Sequence, residues 1–285
     1  MFRAPSPTGA NRTLQWARIG RCMATRWITA FCAAASLLVW AEPGTTRRWA
    51  KYEHEMQDPA EDPQDAWESA EFAFARLRYR SFRDRYYRWR WGIDANKSDR
   101  QFIQGLRRLT RVNARSVEEV VDIENDAIFD WPWLYAVGAG DWSFTDEHAA
   151  RMKKYFERGG FLVVDDFHNE REWAGFMEGI SKALPGHAVI ELDERDHIFH
   201  TVYDLSKRVR VPGLNVVHGD QIERGGIEPH WRAVVDGNGR VVVGIFFNQD
   251  LGDAWEWADL PDYPEQYASM AYRLGVNYVI YAMTH

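Results

Sequence analysis

The sequence predicts an α/β protein whose doubly wound, mostly parallel sheet ends in a C-terminal β-hairpin and a long terminal helix. Three observations predict it. From Glu71 onward, short apolar runs alternate with amphipathic stretches, the rhythm of a parallel sheet covered on both faces. Asp236-Gly237-Asn238-Gly239 joins two apolar runs, which is a strong hairpin signal. Tyr267, Ala271, Leu274, Tyr278 and Tyr281 recur at helical spacing near the C-terminus, giving one long helix that tolerates Gly275.

The elements follow in order. Phe72 to Tyr79 is apolar on both faces at first, as a central strand should be. Ser98 is expected to cap a helix whose Phe102, Leu106 and Leu109 share a face. Val117 to Ile123 and Trp133 to Val137 read as two further strands. Thr145 caps the next helix, with Asp146 and Glu147 in the first turn where the helix dipole favours them. Gly159 and Gly160 end it. Phe161 to Val164 is a wholly apolar strand that breaks into Asp165 and Asp166. A helix bearing Trp173, Phe176 and Ile180 follows and stops at Pro185-Gly186, before a strand from Ala188 to Glu191. The hairpin strands are Trp231 to Val235 and Arg240 to Phe247.

Residues 1–41 differ in kind from this body. Their only charges are Arg3, Arg12, Arg18, Arg21 and Arg26, and Trp27 to Trp40 is almost wholly apolar before a small-residue cut at Ala41. That is the layout of a secretory signal, with an uncleaved N-terminal membrane anchor as the alternative. The apolar run is short for a bilayer span, which takes roughly 20 residues. Residues 42–70, with Pro43, Pro59 and Pro63, read as a polar linker, and residues 71–285 as the α/β domain. Beyond residue 41 the chain holds 30 basic and 42 acidic residues, a net charge of −12. Such a body argues against nucleic acid as a partner, because phosphate binding needs a positive field. Cys22 and Cys32 both lie inside the signal, so the remainder has no disulfide, thiolate metal site or cysteine nucleophile.

Several strings of the chain belong together. They are Phe74 to Tyr79 (FARLRY), Gly159 to Asp166 (GGFLVVDD), Arg171 to Trp173 (REW), Asp196 to His200 (DHIFH), Asn248 to Trp257 (NQDLGDAWEW) and Tyr272 to His285 (YRLGVNYVIYAMTH). In this order they resemble the bacterial domain of unknown function 4159, over roughly Glu71 to His285. That family is similar in fold to the class I glutamine-amidotransferase-like group, which includes the trehalose-utilisation (ThuA-like) proteins. The resemblance implies a flavodoxin-like sheet and leaves the activity open. Those amidotransferases carry a cysteine on a sharp strand-to-helix turn, and here the corresponding strand ends in two aspartates, so that mechanism is not available to this chain.

Ligands of an open α/β sheet bind beyond the carboxyl ends of its strands, which is where Asp165 and Asp166 fall. On a strand their side chains point to opposite faces. They are the first candidates for acid or base work, for a hard cation or for sugar hydroxyls, against the plain reading of a helix cap and an arginine partner. Arg76 and Arg78, with Arg80, approach the same edge and would neutralise the aspartates or hold an anionic ligand. The run Arg83 to Arg90 reads as a surface loop. His168, His197 and His200 follow the strands expected to flank the crevice. His197 is the candidate assistant in catalysis and His168 and His200 are candidate ligand contacts, although His-x-x-His is a weak metal motif and no metal is assigned. Asn248, Asp250, Asp253, Trp255 and Glu256 form a polar and aromatic loop suited to a polyol, or else an Ω-like loop docking the last helix. No Gly-x-Ser-x-Gly elbow and no phosphate loop is present.

These residues point first to an exported domain without amidotransferase activity that binds a small polar ligand or a cell-envelope protein. The alternative is a hydrolase of a polar, carbohydrate-like substrate with Asp165 and Asp166 as acid and base or metal ligands. The expected location is periplasmic, or outside the cytoplasm on a membrane anchor. The sequence identifies no cofactor and no oligomeric state.

Overall fold

A computed structural model describes residues 62–81, 90–219 and 222–285. The expected signal at 1–41 and most of the linker therefore lie outside the described residues. Seven strands form one sheet in the order β2-β1-β3-β4-β7-β6-β5. They are β1 (Ala75–Arg78), β2 (Glu119–Asp122), β3 (Trp133–Val137), β4 (Phe161–Phe167), β5 (Val189–Glu191), β6 (His230–Val235) and β7 (Val241–Phe247). The five strands from β2 to β7 run parallel, while β6 is antiparallel to both β7 and β5. Every residue of β3, β4 and β7 is buried, which is why these strands read as unbroken apolar runs instead of alternating.

Helices cover both faces. On one lie α1 (Lys97–Leu109), the short α5 (Leu251–Glu256) and α6 (Glu265–Thr284), with α4 (Leu214–Val217) near the edge. There Phe102, Leu106, Leu274 and Tyr278 meet Phe74, Tyr135, Phe161 and Val163 of the sheet. On the other face α2 (Asp146–Glu157) and α3 (Asn169–Ala183) bring Met152, Phe156, Phe176 and Ile180 against Leu77, Leu134, Leu162 and Val164. The period of two along each strand sorts the core into these two layers. Packing of α3 on the turn after β3 is close enough that a Cβ on Gly175 would collide with the Gly140 carbonyl oxygen.

Most expected elements are present, with four differences. β1 begins at Ala75, and Phe72 contributes only an isolated bridge to Ala114. Asn96 precedes α1, while Ser98 is buried inside the first turn, where its hydroxyl accepts from Arg76. β4 continues through both aspartates to Phe167. The expected loop after β7 contains α5, because the Asp250 carboxylate accepts the Asp253 N–H at 2.8 Å and caps a turn of helix. The last stretch of the expected linker, 62–70, lies against α1, with Asp62 bonded to Arg100 at 2.5 Å and Asp65 to Arg107 at 2.8 Å. The expected hairpin closes with the Asp236 N–H on the Arg240 carbonyl at 2.8 Å.

Arg76 decides how the chain is held between β1 and α1. It is completely buried and grips Asp99 through two nitrogens, one at 2.9 Å and the other at 2.5 Å. Its remaining N–H groups reach the carbonyls of Trp91 and Ile93 at 3.0 and 2.8 Å. Removing one partner would strand the other's charge in the core. Arg76→Met or Asp99→Ala is expected to destabilise the fold by about 3–5 kcal/mol in urea unfolding. The double variant Arg76→Met/Asp99→Leu should lose clearly less than the two single losses combined, because no orphan charge remains.

Candidate functional site

The carboxyl end of β4 is irregular. Its register against β7 shifts between Val164 and Phe167, and Asp166 takes left-handed backbone at φ +51°. A bulge of this kind re-aims a side chain. Asp165 keeps the strand's alternation and faces the α1 and α6 layer. There its Oδ2 accepts from the Tyr135 hydroxyl at 2.7 Å and from the N–H groups of Leu251 and Gly252 at 2.8 and 3.0 Å. Asp165 thus fastens the start of α5 to the middle of the sheet. Burial pushes its carboxyl up to about 7 against the pull of the Tyr135 hydrogen bond, and the neighbouring Asp166 adds to the rise.

Asp166 points the other way, into a cluster of ions. Its Oδ1 accepts from Arg224 at 2.5 Å and lies 3.3 Å from His168 Nε2. Its carbonyl accepts from Arg224 at 2.8 Å and from Arg90 at 3.3 Å. Burial opposes ionisation here, yet Arg224, His168 and Arg90 together hold the carboxyl well below the usual range. Glu172 accepts the His168 N–H at 2.7 Å and stands 3.6 Å from Arg90. Arg90 also faces Asp141 at 3.6 Å. Glu223 lies 3.7 Å from His168 Nε2 and is raised to about 7, by burial first and then by Asp166. Burial brings His168 down to about 4, so its ring is neutral at pH 7.

Asp166, His168 and Glu223 each bring a ligand atom within 4.8 Å of the others. The group is joined as an ion-pair network. The Arg224 guanidinium already supplies the positive charge at Asp166 Oδ1. His168 Nδ1 is buried without a hydrogen-bond partner, while Nε2 faces Asp166.

A second group of carboxylates stands beside the first. Oxygens of Asp94, Asp250 and Asp253 lie within 4.8 Å of one another. Asp253 accepts the Leu214 N–H at 2.6 Å and the Trp257 indole N–H at 3.1 Å. Burial pushes all three carboxyls up, and repulsion by Asp253 on the other two, or by Asp166, adds to it. Among the described residues none of the three forms an ion pair.

Above the network, at the carboxyl ends of β4 and β7, opens a cavity of about 520 Å³. Asn169, Arg171, Glu228, His230, Phe247 and Asn248 are among its walls. Asn248 stitches the walls together, accepting the Asn169 N–H at 3.0 Å and donating to the Glu228 carbonyl at 2.7 Å.

The sequence profile described as Domain of unknown function (DUF4159) matches residues 73–283. The chain belongs to the DUF4159 family. No curated protein matches it.

In this DUF4159 domain the expected candidates divide. Asp165, Asp166, His168, Asn248, Asp250 and Asp253 gather at one rim of the sheet. Arg76 and Arg78 do not join them: Arg76 is bound to Asp99, and Arg78 is engaged by Asp122 on the neighbouring strand β2. Arg80 pairs with Glu124. The cations at Asp166 are Arg90, assigned above to a surface loop whose residues 82–89 lie outside the described ones, and Arg224. His197 stands at the opposite rim, its ring 6.2 Å from that of Tyr281, whose hydroxyl accepts the N–H of Val241 at the start of β7. His200 is spent locally on the Glu194 carbonyl at 2.8 Å. These two leave the crevice because the chain after β5 turns back along the α6 face. Trp255 is 1% exposed and packs on Phe102 and Tyr135, so its ring cannot stack on a ligand, and Glu256 is also buried.

The pH response of the domain isolates Asp165. An unfolded aspartate loses its proton near about 4, while the folded one keeps it to about 7. Between those values folding takes up a proton, so this group's contribution falls as pH rises. His168 acts in the opposite sense between about 4 and 6.5. The comparison must therefore be made against a variant. Urea unfolding at pH 5 and 6.5 should show Asp165→Asn gaining on the wild type by about 1.4 kcal/mol per pH unit. Parallel profiles would contradict it.

Proposed function

We propose that this DUF4159 domain binds a small, neutral, polyol-like ligand in the cavity at the carboxyl ends of β4 and β7. The observation that carries the reading is the cavity itself. It combines amides, charges of both signs and the half-buried His230 ring, which stacks on the buried Phe247 ring 5.7 Å away at 23°. Amides and carboxylates suit hydroxyl groups, and the imidazole of His230 adds a flat polar wall beside them. The network beneath keeps the walls fixed: Asn169 donates to the Arg224 carbonyl at 2.7 Å, and Arg224 is bound to Asp166. A site whose supports are already paired is preorganised for binding.

The strand order, with helices on both faces, supports a flavodoxin-like fold of the glutamine-amidotransferase-like group. Amidotransfer is not part of the proposal, because both cysteines of the chain precede residue 41. The basic and apolar character of residues 1–41 supports work outside the cytoplasm, where a polar envelope ligand or an envelope protein is the natural partner.

One observation favours the hydrolase as a second reading. Asp165 is raised while Asp166 is lowered, a split that sorts paired carboxyls into acid and base. Against it, both are at most 1% exposed and both are committed to internal partners.

Thermal unfolding in a panel of monosaccharides, sugar alcohols, simple anions and amides tests the binding reading. A polyol that binds should raise the midpoint by about 5–10 °C at a hundredfold excess over its Kd. Arg171→Met and Glu228→Gln, both at exposed positions, should weaken that response. Glu228→Gln should do so without lowering the midpoint of the free protein, whereas Arg171 also pairs with the buried Asp141 and Glu172. If no polyol shifts the wild type, the small-ligand reading falls and a protein partner replaces it. Turnover of a glycoside that is lost in Asp166→Asn would favour the hydrolase.

A further inference from the structure

Asp94 and the pair Asp250 and Asp253 reach the same point from distant parts of the chain. A trio of acids is no site by itself, since acidic groups often cluster in water. Two of these three are out of water: Asp94 is 5% exposed and Asp250 is 3% exposed. An independent observation concerns one of the trio's own oxygens. Asp94 Oδ2 is buried without a hydrogen-bond partner. It lies over the start of α5, so close to Gly252 that a Cβ there would collide with it. Carboxylate oxygens of Asp94 and Asp253 lie within 4.8 Å of each other. Two carboxylates that face each other in a buried place need either a proton or a cation between them.

The geometry suits a cation. Oxygens bound to one calcium ion at about 2.3–2.6 Å span at most about 5 Å across the shell. Those of Asp94, Asp250 and Asp253 lie within 4.8 Å of one another. All three are oxygen donors, which selects hard ions over zinc or copper. The hydrogen bonds already present leave lone pairs over: Asp250 uses Oδ1 for the Asp253 N–H, and each Asp253 oxygen accepts a single N–H. A fourth carboxylate stands at the edge. A Cβ on Gly213 would lie 2.7 and 2.8 Å from the two Glu223 oxygens and 3.0 Å from Asp250 Oδ2.

We infer that Asp94, Asp250 and Asp253 form a binding site for one hard divalent cation, calcium or magnesium, with Glu223 at its margin. The ion ties the turn after Ile93 to the start of α5. Through the Asp253 bond to the Leu214 N–H it also steadies α4. The site is separate from the proposed polyol cavity, whose walls contain none of the three ligands.

The test uses the full chain, stripped with EDTA and titrated with calcium chloride or magnesium chloride alone. Calorimetry should give one ion per chain, and the thermal midpoint should rise saturably with it. Asp94→Asn removes one negative charge from the ligand set and should weaken binding about tenfold or more, because affinity follows that charge. Asp253→Asn should do the same, and it carries the test if Asp94→Asn does not fold. The inference is overturned if the wild type binds neither ion up to about 10 mM, beyond the weakest calcium modules at about 0.1–1 mM. In that case a proton shared by Asp94 and Asp253 holds the trio, and Asp94→Asn in EDTA would be at least as stable as the wild type. Undiminished binding in both variants, or a preference for zinc over calcium and magnesium, would also overturn it. Polyol shifts measured with Arg171→Met are read from other residues, so either reading can fail alone.

Discussion

A buried carboxylate must be hydrogen-bonded, paired, protonated or bound to a cation, and the carboxyl end of β4 obeys that constraint group by group. Asp165 Oδ2 accepts hydrogen bonds from Tyr135, Leu251 and Gly252, while Oδ1 has no hydrogen-bond partner and the carboxyl has a raised affinity for its proton. Asp166, one residue on, is satisfied by arginine. Adjacent residues of one type reach opposite states because the bulge in β4 turns one toward backbone donors and the other toward guanidinium groups. Loops from four places in the chain are arranged around that requirement. Arg90 and Asp94 precede α1, Asp141 follows β3, Glu223 and Arg224 precede β6, and Asp250 opens α5.

The layered fold was legible in the sequence because it is a matter of periodicity. Phe161 to Val164 has no polar residue, so it is a strand covered on both faces, and Thr145 with the acids after it marks the start of α2. That Asp165 and Asp166 end at the carboxyl rim of the sheet was legible too, since topology puts the residues at the end of a parallel strand there. What periodicity does not carry is long-range pairing. Arg76 and Arg78 alternate with apolar residues on β1, and nothing in that pattern says that Asp99 and Asp122 take them. His168 directly follows β4, while His197 and His200 come six and nine residues after β5. In between, the chain after β5 doubles back to pack Phe199 against Tyr278.

Arg224 and Glu223 show the limit most clearly. They sit in a polar turn with no helical or strand pattern, and Arg224 keeps about a third of its side chain in solvent at 31%. A charge pair in such a turn is ordinarily a solvated one. It matters here because its partner, Asp166, is 1% exposed, and only three-dimensional proximity reveals that. Asp94 is similar: a lone acid in a stretch of aromatic and basic residues, recognisable as special by its left-handed backbone at φ +62° and by nothing in its neighbours.

The two carboxylate groups are not independent electrostatically. Asp166 raises Asp94, Asp250, Asp253 and Glu223 alike, because its own charge is retained in every state in which Arg224 is bound to it. Arginine stays protonated throughout the accessible pH range, so this negative charge is a fixed feature of the rim. A fixed charge of that sign makes the neighbouring trio a poorer place for three further negative charges and a better place for a positive one. The division of the rim into a network closed by arginine and a trio open to a cation therefore follows from one arrangement. Where guanidinium groups reach, the carboxylates are neutralised from within the chain. Where they do not reach, the compensating charge has to come from protons or from solution.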